Sequence, residues 1–114
     1  MKIFNRKKGA EGEALAKKYL AKKKYKILEQ NYKNKVGEID IIAKDRDFLV
    51  FIEVKNRSTA EFGMPSEAVD ARKQQKIRLT SEVYLKINHL SDVPCRFDVV
   101  EVLGDEINHI IDAF

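Results

Sequence analysis

The chain has 114 residues, of which 44% are hydrophobic and 35% charged, a balance that fits one globular domain and excludes a disordered or bilayer-spanning protein. No apolar run approaches the roughly 18 residues of a membrane helix, and the N-terminal MKIFNRKKGAEGE lacks a signal-like apolar core, so a cytoplasmic protein is expected. A single cysteine, Cys95, excludes an internal disulfide and a cysteine-based zinc site. The net charge of +4 is unevenly spread: residues 1 to 35 hold 12 Lys/Arg and 3 Asp/Glu, and the remainder holds 10 Lys/Arg and 15 Asp/Glu. A basic segment beside an acidic remainder suits a protein that meets a polyanion at one surface and holds cations at another. A lysine-rich solvated helix face gives the same count.

In chain order, residues 9 to 24 (GAEGEALAKKYLAKKK) read as a helix with Leu15, Ala16, Tyr19 and Leu20 facing inward. YKILEQNYK reads as a strand, followed by a hairpin over 37 to 56. RSTAEFGMPSEA is a loop marked by Gly63 and Pro65. A second helix runs from 67 or 70 to 88, with Ile77, Val83, Tyr84 and Ile87 at near-helical spacing. Beyond Pro94 come the strand RFDVVEVL, the turn GDE and a final strand INHIIDAF. The order α-β-β-β-α-β-β predicts an α/β sandwich, one domain over 1–114, with a mixed sheet of about five strands flanked by helices. No repeat, low-complexity tract or linker divides it.

The hairpin GEIDIIAKDRDFLVFIEVKNR carries charges inside two apolar strands, and an unpaired interior charge costs at least several kcal/mol. In a strand, residues i and i+2 share a face. An even loop around residues 45 and 46, with paired residue numbers summing to 91, sets Glu38 opposite Glu53 and Asp40 opposite Phe51. All of Glu38, Asp40, Glu53 and Lys55 then point to one side, whereas an odd loop would separate the acids. Asp40 and Glu53 become diagonal neighbours, roughly 7–8 Å apart at the backbone, and can reach one cation. Hard oxygen donors without His or Cys suit Mg²⁺ or Mn²⁺. Lys55 sits where it could orient a water or stabilise developing negative charge. The bland alternative is a set of ion pairs, Glu38–Lys55 and Glu53–Lys55, on a solvated sheet face. His89 and His109 fall in no metal-binding or general-base spacing and read as a surface residue or strand filler.

Asp40 in GEIDIIA followed by Glu53 and Lys55 in FIEVKNR resembles the PD-(D/E)XK nuclease superfamily, with its restriction-endonuclease-like core. Adding GEALAKKYL, NYKNKVGEIDIIAKD, LVFIEVKNRS, FGMPSEAV, KQQKIRLTSEVYL, RFDVVEV and HIIDAF, nearly the whole chain resembles the small bacterial YraN family of endonuclease-like proteins. Archaeal Holliday-junction resolvases share the core pattern. The resemblance implies that Asp40 and Glu53 hold the metal and that Lys55 acts in catalysis. It also implies a helix acid at Glu13, whose alternative is an i,i+4 pair with Lys17, and an auxiliary ligand at Glu38. Lys73 and Gln74 would face the phosphate backbone, unless they are only solvated helix surface. Ile39 stands where the superfamily's name places proline, which does not ligate.

Metal-dependent phosphodiester hydrolysis in DNA, rather than RNA, is the expected activity, possible on branched or single-stranded substrates. Lys7, Lys8, Lys22, Lys23 and Lys24 would supply sequence-independent backbone attraction. The alternatives are a nucleic-acid-binding module that does not cleave and a protein-interaction subunit using a sheet edge. No membrane partner is expected, and a homodimer is compatible with the chain.

Overall fold

The computed structural model describes residues 2–57 and 69–114, with side chains from residue 11 onward. The described elements follow the order read from the sequence: α1 (Lys2–Lys22), β1 (Lys26–Lys33), β2 (Glu38–Asp45), β3 (Phe48–Asn56), α2 (Ala71–Ile87), β4 (Cys95–Leu103) and β5 (Glu106–Ile110). The loop expected over RSTAEFGMPSEA lies outside the described residues from position 58 to 68.

The strands form one mixed sheet in the order β1-β2-β3-β4-β5. Only β3 and β4 run parallel. A parallel pair needs a long crossover, and α2 lies on that connection. β3 is central, and its stretch from Leu49 to Glu53 is buried throughout. One face of the sheet packs Ile41, Ala43, Val50, Ile52 and Val100 beneath Ala16 and Leu20 of α1. The other packs Ile42, Phe51 and Val99 against Ile77 and Tyr84 of α2. The expected inward residues of α1 therefore hold, as do Ile77 and Tyr84. Ile87 does not: at the last turn of α2 it is 61% exposed, because the helix has run past the edge of its apolar cluster.

The two described helices end in the same way. Tyr25 N donates to Leu20 O and Lys24 N to Ala21 O, with Lys24 at φ 69°. Leu90 N donates to Leu85 O and His89 N to Lys86 O, with His89 at φ 55°. These are Schellman closures, with a side-chain-bearing residue in the left-handed position that glycine prefers. His89 is exposed. His89→Gly is expected to raise stability by about 1 kcal/mol, or about 4 °C in Tm; a thermal melt that shows a loss would mean the imidazole contributes more than its backbone costs.

The final strand is shorter than expected. It stops at Ile110, and Asp112 turns the chain at φ 55°. Ala113 N then bonds Phe97 O and Phe114 stacks on Phe97, so the tail folds back over the sheet rather than extending it.

Candidate functional site

The β2–β3 ladder runs from Asp45↔Phe48 to Ile41↔Ile52. The hairpin loop is therefore Arg46–Asp47, an even loop as expected, but the turn sits one residue later and paired numbers sum to 93 rather than 91. A shift of two in that sum leaves the paired residues from Ile41 to Asp45 on their expected faces. Its effect is to bring Asp40 level with Glu53 instead of diagonal to it.

Regular pairing of β2 with β3 ends at Ile41. Ile39 packs into the α2-side cluster although Ile41 packs beneath α1, so strict alternation fails at Asp40. In place of a further ladder bond, Asp40 Oδ2 accepts the Val54 N–H at 2.8 Å. The carboxylate is thereby clamped to the central strand beside Glu53. A local break in pairing is a common way for a sheet to re-aim a side chain.

Glu53 is 8% exposed. Lys73 Nζ, reaching over from the first turn of α2, stands 2.8 Å from its Oε2. The ammonium approaches off the hydrogen-bond angle, so this buried oxygen is held by an ion pair and by no well-aligned hydrogen bond. Asp40 is pushed up to about 8, first by burial and then by the adjoining Glu53 carboxylate, against the Val54 N–H and the Lys73 charge. Lys73 is raised chiefly by Glu53. Two acids thus share a partly closed space in which Lys73 is the one cation paired with them among the described residues.

Glu13 projects from α1 near this pair. Burial and then the Asp40 charge raise it, while Asn31 opposes the shift. With the Asn31 amide oriented to satisfy both groups, its nitrogen donates to the two Glu13 oxygens at 3.1 and 3.2 Å. α1 can come this close because Gly12 has no side chain; a Cβ there would collide with the Asn56 amide.

Other expected site residues are placed differently. Glu38 does not join the acids: it pairs with Lys33 at 3.3 Å and is 65% exposed, because Lys33 is its register partner on β1. Lys55 lies half-buried on the strand face of Glu53, two residues on, and pairs with no described carboxylate. Neither ion pair of the bland reading is present among the described residues. Gln74 spends its amide on Val69 O, at the start of α2. Lys73 reaches Glu53 with its Nζ while its side chain stays 51% exposed. Lys22, Lys23 and Lys24 are exposed at the end of α1, and the side chains of Lys7 and Lys8 lie outside the described residues.

Sequence reasoning missed Asn31, which carries a left-handed φ of 51° in an edge strand and gives no pattern signal. It also missed the role of His109. That side chain is 5% exposed, with Nε2 2.7 Å from Asp98 Oδ2 and Nδ1 3.1 Å from the Tyr19 hydroxyl. The tautomer that satisfies all three has Nε2–H donating to Asp98 and Tyr19 O–H donating to Nδ1.

The donor set of Asp40 and Glu53 is made of hard oxygens, which fit a small divalent cation, and Lys73 holds the position of a positive charge beside Glu53. Among the described residues no three His, Cys, Asp or Glu side chains converge as a metal-binding group. Glu13 and Glu38 therefore do not complete a ligand set with Asp40 and Glu53, and two carboxylates are what the described residues offer a hard cation.

The model of the uncharacterised protein family UPF0102 matches residues 12–102, a span that includes Glu13, Asp40, Glu53, Lys55 and Lys73. The chain belongs to the UPF0102 family. It is 47% identical to a UPF0102 protein of Caldanaerobacter subterraneus, with 100% of both chains covered. It is 50% identical to one of Clostridioides difficile, over 96% of this chain and 98% of the other. A UPF0102 protein of Alkaliphilus oremlandii is 51% identical, over 97% of this chain and 100% of its own. UPF0102 membership agrees with the YraN part of the resemblance. No helix among the described residues is long and apolar enough to cross a membrane.

Proposed function

We propose that this UPF0102 protein is a divalent-metal-dependent endonuclease of the PD-(D/E)XK type, hydrolysing phosphodiester bonds in DNA. The observation that supports it best is the clamped Asp40 beside buried Glu53, an arrangement that costs stability without a cation and gains it with one. A structural ion pair needs only one acid and one base. Here two acids face one paired lysine among the described residues, so one negative charge is left over when both ionise.

A bound Mg²⁺ or Mn²⁺ would polarise the phosphate and make a bound water more acidic. The chain's own groups prepare the rest. The Val54 N–H fixes the Asp40 carboxylate against rotation. Glu53 offers its carboxylate from the central strand. Lys55, on the same face and paired with no described carboxylate, would offer its ammonium to the negative charge that develops on the attacked phosphate. Lys73 neutralises the acids before substrate arrives and has a half-exposed head that can turn to a phosphate. Glu13, held by Asn31, adds negative charge at the approach from α1.

The test is nicking of branched, single-stranded and duplex DNA with Mn²⁺ and with chelator. Cleavage is expected only with the cation, and Glu53→Gln should abolish it. Failure to cut any of the three substrates with Mn²⁺, or equal cutting in chelator, would overturn the reading.

A further inference from the structure

A second site lies at the other end of β3, about 17 Å along the strand from Glu53 at about 3.3 Å per residue. There, on the α1 side of the sheet, a cleft of about 580 Å³ is lined by Lys23 and Lys24 from the end of α1 and by Arg46 from the hairpin turn, with Tyr19, Asp45 and His109 beside them. We propose that this cleft is a phosphate-binding subsite for a nucleic-acid strand, separate from the acids at Asp40 and Glu53.

Charge accounting favours an anion. The carboxylate in the lining, Asp45, is already taken by Arg96 at 3.1 Å, and Arg96 also holds Asp98 at 2.9 Å. Lys23, Lys24 and Arg46 make no ion pair with any described carboxylate, and all three are exposed. The helix dipole accounts for lysines at the C-terminus of α1. It does not account for Arg46, which arrives from another element and is held in the left-handed region at φ 56°.

The floor is rigid. Asp98, with no exposed surface, accepts from Arg96, from His109 and from the Asp112 N–H, and Arg96 Nη2 donates to the Tyr25 hydroxyl. Tyr19 commits its hydroxyl proton inward to His109, so it presents a ring, not a donor, to the cleft. Lys23 already lies over that ring, 5.8 Å from its centre. Cations on a rim above an aromatic floor match a backbone phosphate with a base beside it. The volume lies in the usual range of about 300–1,000 Å³ for ligand pockets and so admits a nucleotide unit.

This inference extends the nuclease reading, and its test is run in chelator so that the two can fail separately. Binding of a fluorescent single-stranded DNA oligonucleotide to the full chain is followed by anisotropy across a salt series. The combined variant Lys23→Gln, Lys24→Gln, Arg46→Gln should bind at least about tenfold more weakly, and its log–log salt slope should fall by about 2. The matched variant Lys35→Gln, Lys44→Gln, Lys86→Gln removes the same charge elsewhere and should change affinity less than twofold. Amide and ring shifts on adding the oligonucleotide should centre on Tyr19 and Arg46. Equal losses in the two variants, unchanged binding in the first, or shifts confined to other surfaces would overturn the subsite.

Discussion

Asp40→Asn should melt higher than wild type in chelator at pH 8, by at least about 4 °C, the shift that about 1 kcal/mol produces in a domain near this size. Asp40 titrates at about 8 in the folded chain, because of burial and then Glu53, against an ordinary aspartate value near 4 once unfolded. The folded state therefore holds a proton that the unfolded state releases. The stability this proton carries is fully present below about pH 4 and is lost progressively as pH rises to about 8. An amide cannot ionise, so the advantage of the variant should grow across that window and level off above it. Asn also keeps an oxygen to accept the Val54 N–H and gains an N–H₂ to offer Glu53. The same change removes a charged ligand, so Mn²⁺ should stabilise wild type at pH 8 and the variant far less. Melts over pH 5 to 9, with chelator and with Mn²⁺, decide the matter. A variant that melts lower throughout, beside a wild type indifferent to Mn²⁺, would assign these acids to the fold alone.

That Asp40 and Glu53 would meet was legible from parity, since any even loop gives the same faces over the paired residues, but the break in alternation at Asp40 and its bond to the Val54 N–H were not. The exact register was not, because Lys44, Asp45, Arg46 and Asp47 are all polar and mark a turn without fixing its centre. Glu38 was misplaced for a related reason: β1 supplies Lys33 as its cross-strand partner, and pairing across β1 and β2 cannot be read from the hairpin. Leu15, Ala16, Tyr19 and Leu20 were readable because a helix over a sheet needs one apolar face. Lys73 and Asn31 were not assignable to acids on other elements, since those contacts depend on where α2 and β1 come to rest. The same limit hid the Asp98 network, whose members are drawn from α1, β2, β4 and β5.

Arg96→Met should destabilise the chain by about 3–5 kcal/mol, the loss seen when one partner of a buried ion pair is removed. Asp98 is fully buried and keeps its charge because Arg96 donates to both of its oxygens, at 2.9 and 3.1 Å. Burial alone would raise its titration; hydrogen bonds from His109, Arg96 and the Asp112 N–H outweigh that and hold it below the usual aspartate range. Without Arg96 the carboxylate keeps only His109 and one backbone donor, and Tyr25 loses the guanidinium at its hydroxyl. A depressed carboxylate stabilises the fold above its unfolded titration near pH 4, and that stability is lost as pH falls through the folded value. The gap between wild type and Arg96→Met should therefore be widest near neutrality and narrow in acid. Adding Asp98→Asn to Arg96→Met removes the stranded charge, while the Asn oxygen can keep the Asp112 N–H and its N–H₂ can donate to His109 Nε2 in the other tautomer, so part of the loss should return. Urea unfolding of all three proteins at pH 7 and pH 4 tests this. A single-variant loss under about 1 kcal/mol, or no recovery in the double variant, would show that Asp98 needs no cation to stay buried.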